Sequence, residues 1–345
     1  MVRASLMCAL LLAGCSEESG ALDLAMQPDL ARQIGQNGTV ALFDKTLFDS
    51  GHQTNDVRLA LPGGLFSSVT LHVELACPTR CDQWDRLASI SIVEPAGDDA
   101  GSERTIEIGR FITPFGVKGA WDIDVTDLQP LLSGDRKLRA YIATWVSAGS
   151  QYGNGWLLTA QLIYVGGVPA PEPIAVTALP WRDFPIGDPA QPIEASLPPQ
   201  PVVLAAGATG AAVRVTVTGH GQGNKDNCGE FCTQDHRLLV DGQLVEAHTV
   251  WRDDCDQNPI MIQHGTWMDP RAGWCPGEDV KPWRVDLGSR PSSFTVAYST
   301  DPYVNSCRPE NCVPGDCALF TGCAYDGANH TPPFYAFSAL LISYR

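Results

Sequence analysis

This sequence predicts an all-β fold arranged as two domains. Apolar and polar residues alternate in several stretches, 33 glycines and 26 prolines punctuate the chain, and few segments sustain a helical period. At 345 residues the chain is too long for one ordinary core and suits two domains of roughly 130 to 170 residues each.

The elements follow in order. Met1-Val-Arg3 is a short positive start, and the apolar run Leu6 to Ala13 is too short to span a bilayer. Leu12-Ala13-Gly14-Cys15 has the small residues before a cysteine that mark a bacterial lipobox. Residues 1–14 are therefore expected to be a cleaved lipoprotein signal with Cys15 as the lipidated residue; a plain secretory signal or a buried N-terminal helix is the alternative. Residues 15–37 are polar and mixed and are expected to form a flexible tether. An N-terminal β-sandwich is expected over 38–168, where Val69-Thr-Leu71-His-Val73-Glu-Leu75 places every second residue on one apolar face. Leu128 to Leu132, after Thr126-Asp127, reads as one short helical turn. Prolines crowd the chain from Pro169 to Pro199, directly after the strand-like Trp156 to Val165, and mark the domain boundary. A second sandwich over 172–345 shows the same alternation at Val213 to Val217, Trp283 to Leu287 and Phe294 to Tyr298. Two sandwiches side by side form a cleft, a common place for ligand sites.

Charge and cysteines narrow the function. A net charge of −16 disfavours nucleic acid and anionic headgroups as partners. No later stretch is apolar for long enough to form a transmembrane helix, so any membrane attachment is expected through lipid alone. Twelve cysteines suit an exported protein, and setting aside Cys8 and Cys15 leaves an even number able to pair. The expected location is the bacterial cell envelope, with secretion as the alternative.

Two cysteine brackets stand out. Cys77-Pro-Thr-Arg-Cys81 runs on into Asp82-Gln-Trp-Asp85-Arg86, and Cys228-Gly-Glu230-Phe-Cys232 encloses a glutamate. Asp85 and Glu230, one per domain, are candidates to divide the work of hydrolysis if their surroundings separate their pKa values. Trp84, Trp145, Trp251, Trp267 and Trp274 adjoin polar residues or cysteines, a setting that suits stacking on sugar rings. Metal has weaker support: zinc through cysteines requires thiolates, which disulfides would consume, and His220, His236 and His264 lack a diagnostic motif. No Gly-x-Ser-x-Gly elbow and no phosphate-binding glycine loop is present.

Five separated strings resemble the bacterial peptide-N-glycosidase F family in the same order, from about Val40 to the C-terminus: Cys77 to Arg86, Ile108-Gly-Arg-Phe-Ile-Thr-Pro114, Asp122 to Asp127 with Leu131-Leu-Ser-Gly134, Cys228 to Cys232, and Arg271-Ala-Gly-Trp-Cys-Pro-Gly277. The resemblance implies two eight-stranded antiparallel jelly-roll-like sandwiches packed side by side. It also implies hydrolysis of the amide between N-acetylglucosamine and asparagine of N-glycoproteins or glycopeptides, without metal or cofactor; the chain is expected to be a monomer. By matched position it makes Asp85 and Glu230 catalytic, and Arg86, Arg271, Trp84, Trp145 and Trp274 substrate-binding. It implies the disulfides Cys77–Cys81, Cys228–Cys232 and Cys255–Cys275.

This chain departs from the family pattern in three places. Ala143 stands where the family's characteristic enzyme has a third cleft glutamate, the first bracket is one residue shorter, and Cys307, Cys312, Cys317 and Cys323 form an added insertion over 303–330. The competing expectation is a non-catalytic glycan-binding lipoprotein whose turnover ended with Ala143. Copper-dependent monooxygenases share the paired-sandwich fold, but the chain has no His-His or His-x-His pair to match their ligands.

Overall fold

The computed structural model describes residues 33–95, 102–186, 193–221, 229–301 and 333–345. The expected signal and lipidation site, Cys228 and the Cys307 to Cys323 insertion lie outside the described residues.

The first half contains β1 (Gly38–Phe48), β2 (Thr54–Leu61), β3 (Phe66–Ala76), β4 (Leu87–Pro95), β5 (Glu103–Ile112), β6 (Gly119–Asp124), β7 (Gly134–Ile142) and β8 (Trp156–Gly166). They pair antiparallel in two four-stranded sheets, ordered β1-β8-β3-β6 and β2-β7-β4-β5. Alternation explains the packing: Val69, Leu71, Val73 and Leu75 of β3 are all fully buried, facing the core shared with Ile90 and Ile92 of β4. Each such side chain contributes about 1.5–3 kcal/mol of burial. The expected helical turn is a 3-10 turn over Thr126–Leu131, with Pro130 inside it.

The second half contains β9 (Pro173–Ala178), β10 (Phe184–Pro185), β11 (Gln200–Val203), β12 (Gly210–His220), β13 (Asp235–Val240), β14 (Gln243–Thr249), β15 (Trp283–Gly288), β16 (Ser293–Thr300) and β17 (Phe334–Tyr344). One sheet runs β10-β17-β12-β15 with β9 added on β17, and the other runs β11-β16-β13-β14. The expected strands at Val213, Trp283 and Phe294 are β12, β15 and β16. Their alternate side chains fill a second core, with Val213, Val215, Val285 and Val296 fully buried.

β12 is buried along nearly its whole length, on both faces, because the sheet it shares with β17 also packs on the first sandwich. Ala212, Leu340, Ile342 and Tyr344 join the first core from this sheet. The joint is also polar and specific. Arg110 crosses it to donate to Thr218 Oγ1 (2.9 Å) and the Ala336 carbonyl (2.7 Å), with its charge met by Glu107 (2.9 Å). A short backbone seam runs beside it: Ile112 N–H donates to Glu278 O (2.9 Å), Gly277 N–H to Ile112 O (3.0 Å) and Val280 N–H to Arg110 O (2.9 Å). These bonds fix the two halves in register close to the candidate site.

The expected tether differs at its end. Gln33 to Asn37 are joined to the first sandwich: Leu65 N–H donates to Gln33 O (2.7 Å), Gly35 N–H to Leu65 O (2.9 Å) and Gly166 N–H to Asn37 Oδ1 (2.7 Å). Backbone pairing with the loop before β3 takes precedence over polar composition here.

Candidate active site

The bracket Cys77–Cys81 is disulfide-bonded and opens the turn that carries Asp85. Its lock is Asp82, which is wholly buried and fully paired. Asp82 accepts from Arg86 Nε (2.7 Å) and Nη2 (3.2 Å), from Thr144 Oγ1 (2.7 Å) and from the Trp84 N–H (3.1 Å). A buried carboxylate is tolerated when its lone pairs are met this way, and the pair holds the turn rigid between 82 and 86. Arg86 N–H also bonds Thr113 Oγ1 (2.9 Å), tying the turn to the end of β5 and so to the seam. Trp84 and Asp85 project from this turn, and the Trp145 ring lies over the Arg86 guanidinium at 4.6 Å.

Glu230 comes from the other half. Its N–H donates to Gly221 O (3.0 Å), and its carbonyl accepts from the Ala272 N–H (2.8 Å). Cys232 is disulfide-bonded. Arg271 joins the two acids: its Nε donates to Glu230 Oε1 (3.1 Å), and its Nη2 lies 3.9 Å from Asp85 Oδ2. The guanidinium is only 1% exposed. Thr266 O (2.9 Å), Asp269 O (2.7 Å) and Thr266 Oγ1 (3.0 Å) occupy its other donors, and it stacks near Phe231 and Trp274. The Cys255–Cys275 disulfide and the backbone pair Arg252–Arg271 brace this segment.

A cleft of about 490 Å³ results. Trp84, Asp85, Arg86, Tyr141, Ala143 and Trp145 line it from the first half, and His220, Glu230, Trp274 and Phe334 from the second. Trp84 and Trp145 stand exposed, at 46% and 68%, unlike most large aromatics of the chain. Trp274 differs from the expectation of a ring open to substrate. It is 3% exposed because its indole N–H is drawn under Gly219 O (2.7 Å) and its faces meet His220 and Arg271, so it serves as cleft wall. Trp251 and Trp267 are half-buried and do not line the cleft. His236 is buried against Tyr298 (2.7 Å), His264 is exposed, and among the described residues no group of three potential ligands gathers for a metal.

Burial governs the electrostatics. It pushes Asp85 above the usual carboxylate range, opposed by the charges of Arg271 and Arg86. It pushes Glu230 up to about 7, reinforced by the negative charge of Asp85 and opposed by Arg271. Burial thus biases both acids toward their protonated forms, while Arg271 and Arg86 favour the charged form of Asp85 and the charge of Asp85 disfavours that of Glu230. Burial drives His220 down to about 3, so its ring is neutral, held between Trp274 and Phe334 with Nε2 against Thr218 Oγ1 (2.7 Å).

The structure thus brings Trp84, Asp85, Arg86, Trp145, Glu230 and Trp274 around one cleft, with Arg271 directly behind. Sequence reasoning missed the supporting roles of Asp82, Thr266 and His220. Only Asp82 carried a signal, an acid four residues before Arg86.

Comparison with known proteins bears on the family and the fold. The family described as "Peptide-N-glycosidase F, N terminal" matches residues 96–154, and "Peptide-N-glycosidase F, C terminal" matches residues 195–309. The peptide-N(4)-(N-acetyl-beta-D-glucosaminyl)asparagine amidase F of Elizabethkingia miricola is 28% identical over 256 residues, 69% of each chain. The structure of PNGase F, a glycosylasparaginase from Flavobacterium meningosepticum, superposes with a TM-score of 0.70 at 24% identity, covering 90% of this chain and 96% of that one. PNGF-II gives 0.64 at 17% identity, covering 89% of this chain and 65% of that one. These structural likenesses carry the two-sandwich fold.

Proposed function

This chain belongs to the peptide-N-glycosidase F family, and from that premise we propose that it hydrolyses the amide between N-acetylglucosamine and asparagine in N-glycoproteins, releasing the glycan and leaving aspartate. The observation that carries this reading is the buried Arg271, which couples Glu230 and Asp85, acids from opposite halves, across an aromatic cleft.

An amide carbonyl is a weak electrophile, so water needs a base and the departing nitrogen needs a proton. In this reading Asp85 is the base, since the guanidinium groups of Arg271 and Arg86 beside it favour its charged form. Glu230, held near 7, retains its proton long enough to deliver it to the glycosylamine nitrogen. The charges of Arg271 and Arg86 oppose the negative charge that develops on the carbonyl oxygen. Trp84 and Trp145 offer exposed faces for the sugar, and Arg86, under Trp145, keeps that ring in place.

In this reading the protein works at the cell envelope, anchored through Cys15. Support comes from the disulfides, which persist in oxidising compartments. Ala143 lines the cleft without a carboxylate, so the reading requires Asp85 and Glu230 to suffice. The test is release of glycan from an N-glycopeptide, followed by mass spectrometry of both products. Release by the native chain and none by Asp85→Asn is the expected result. Glycan binding without release by the native chain would replace the amidase with the binding protein.

A further inference from the structure

Trp84 divides two cavities. One face looks into the cleft beside Asp85, and beyond it lies a second cavity of about 630 Å³ lined by Cys77, Cys81, Trp84, Phe115, Tyr152 and His264. We propose that this second cavity is a subsite for the polypeptide of the substrate, taking a large apolar or aromatic side chain within two or three residues of the glycosylated asparagine. The proposal deepens the amidase reading and rests on it.

Continuity is the first argument. Trp84 adjoins Asp85 in the chain, and an extended polypeptide advances about 3.3 Å per residue, so a peptide leaving the catalytic carboxylate over Trp84 arrives here after two or three residues. Composition is the second. Trp84 and Tyr152 are both close to half exposed, and Phe115 and the exposed His264 complete the lining. Arg80, at the rim, donates to the carbonyls of Ser150 (2.6 Å) and Gln151 (3.1 Å) and has no carboxylate partner among the described residues. Tyr, Trp and Arg are among the residue types enriched where proteins bind polypeptides.

Rigidity is the third argument. The His264 N–H donates to the Phe115 carbonyl (3.1 Å), joining two residues of one wall. Gln263 holds the same wall, accepting from the Phe115 N–H (2.9 Å) and donating to Ile260 O (3.0 Å) and Pro276 O (2.8 Å). On the opposite wall, Gly153 packs so closely on the bracket that a Cβ there would lie 2.2 Å from Cys81 O. Both walls are thus built before substrate arrives, which reduces the cost of ordering on binding. The other neighbouring cavity, reached past Tyr141 and Leu87, is lined by Ser89, Ser91, Arg182 and Asp183 and offers the glycan a more polar route.

The test uses two synthetic glycopeptides with one glycan and one glycosylated asparagine, differing only in phenylalanine or glycine at the two positions on each side. The phenylalanine peptide is expected to have a roughly tenfold higher kcat/KM and a correspondingly tighter Kd. Tyr152→Ala and, separately, His264→Ala are expected to bring both ratios toward one. Equal treatment of the two peptides, or a preference untouched in Tyr152→Ala, overturns the proposal. So does weaker binding of the free glycan in that variant, which would make the cavity a sugar subsite. If neither peptide is hydrolysed the amidase reading fails, while a phenylalanine preference in Kd that Tyr152→Ala removes would still uphold the peptide subsite.

Discussion

Replacing Glu230 with glutamine removes one titrating group and leaves the side-chain shape almost unchanged. Glu230 has an ordinary value of 4.5 and is held at about 7 by burial and by the charge of Asp85. The folded protein therefore keeps a proton that the unfolded chain releases near 4.5, and stability falls as the pH rises between these two values. Below that window both states are protonated and the cost is absent; above it the cost is complete. At about 1.4 kcal/mol per tenfold change in proton affinity, the interval corresponds to roughly 3 kcal/mol. Glutamine carries no such cost, so the stability of Glu230→Gln minus that of the native chain is expected to rise by roughly this amount from about pH 4 to about pH 8. Denaturant melts of both proteins across that range measure it. The attraction of Arg271 for the ionised carboxylate is already contained in the value of about 7 and adds no separate slope. Release of glycan is expected to fall at least ~100-fold, since the proton donor is gone. A stability difference that does not change with pH, or one that shrinks as pH rises, would refute the assignment of a raised Glu230.

Other perturbations bear on the remaining parts. Asp85→Asn is expected to lower kcat by at least ~100-fold with an unchanged circular dichroism spectrum, because Asp82 and not Asp85 holds the turn. Ala143→Glu adds a carboxylate to the wall shared by Glu230, so a like charge raises Glu230 further and the alkaline limb of the kcat profile is expected to move upward from its position in the native chain. Gly153→Ala forces a Cβ against Cys81 O at a φ of +126°, with an expected loss of about 1–3 kcal/mol in thermal stability. Its effect on kcat/KM for phenylalanine-flanked peptides is expected to exceed its effect on glycine-flanked ones.

The alternation of Val69 to Leu75 was legible as a half-buried strand because period 2 is a local property, and β3 buries those four residues. Asp85 and Glu230 were legible because each lies beside or inside a short cysteine bracket, a spacing visible along the chain. Their coupling was not, since Arg271 reaches Glu230 from 41 residues away and approaches Asp85 from the opposite half. The seam that aligns them joins Ile112 to Glu278, a backbone pairing without a residue-type signature. Trp274 adjoins Gly273 and Cys275 and reads as an open loop residue, yet its burial depends on a carbonyl at Gly219 from a different strand. Burial also reverses the character of Asp82: polar in the sequence, it is one of the most enclosed groups in the molecule. The family resemblance supplied roles that spacing could not, and Ala143 marks where those roles meet a different residue.

The most direct test of the amidase reading is hydrolysis of an N-glycopeptide in water enriched in heavy oxygen. The expected result is a peptide whose asparagine has become aspartate, with the label in the new carboxylate and the released glycan retaining its innermost N-acetylglucosamine. An unaltered glycopeptide, or a peptide that still bears one N-acetylglucosamine on asparagine, would contradict it.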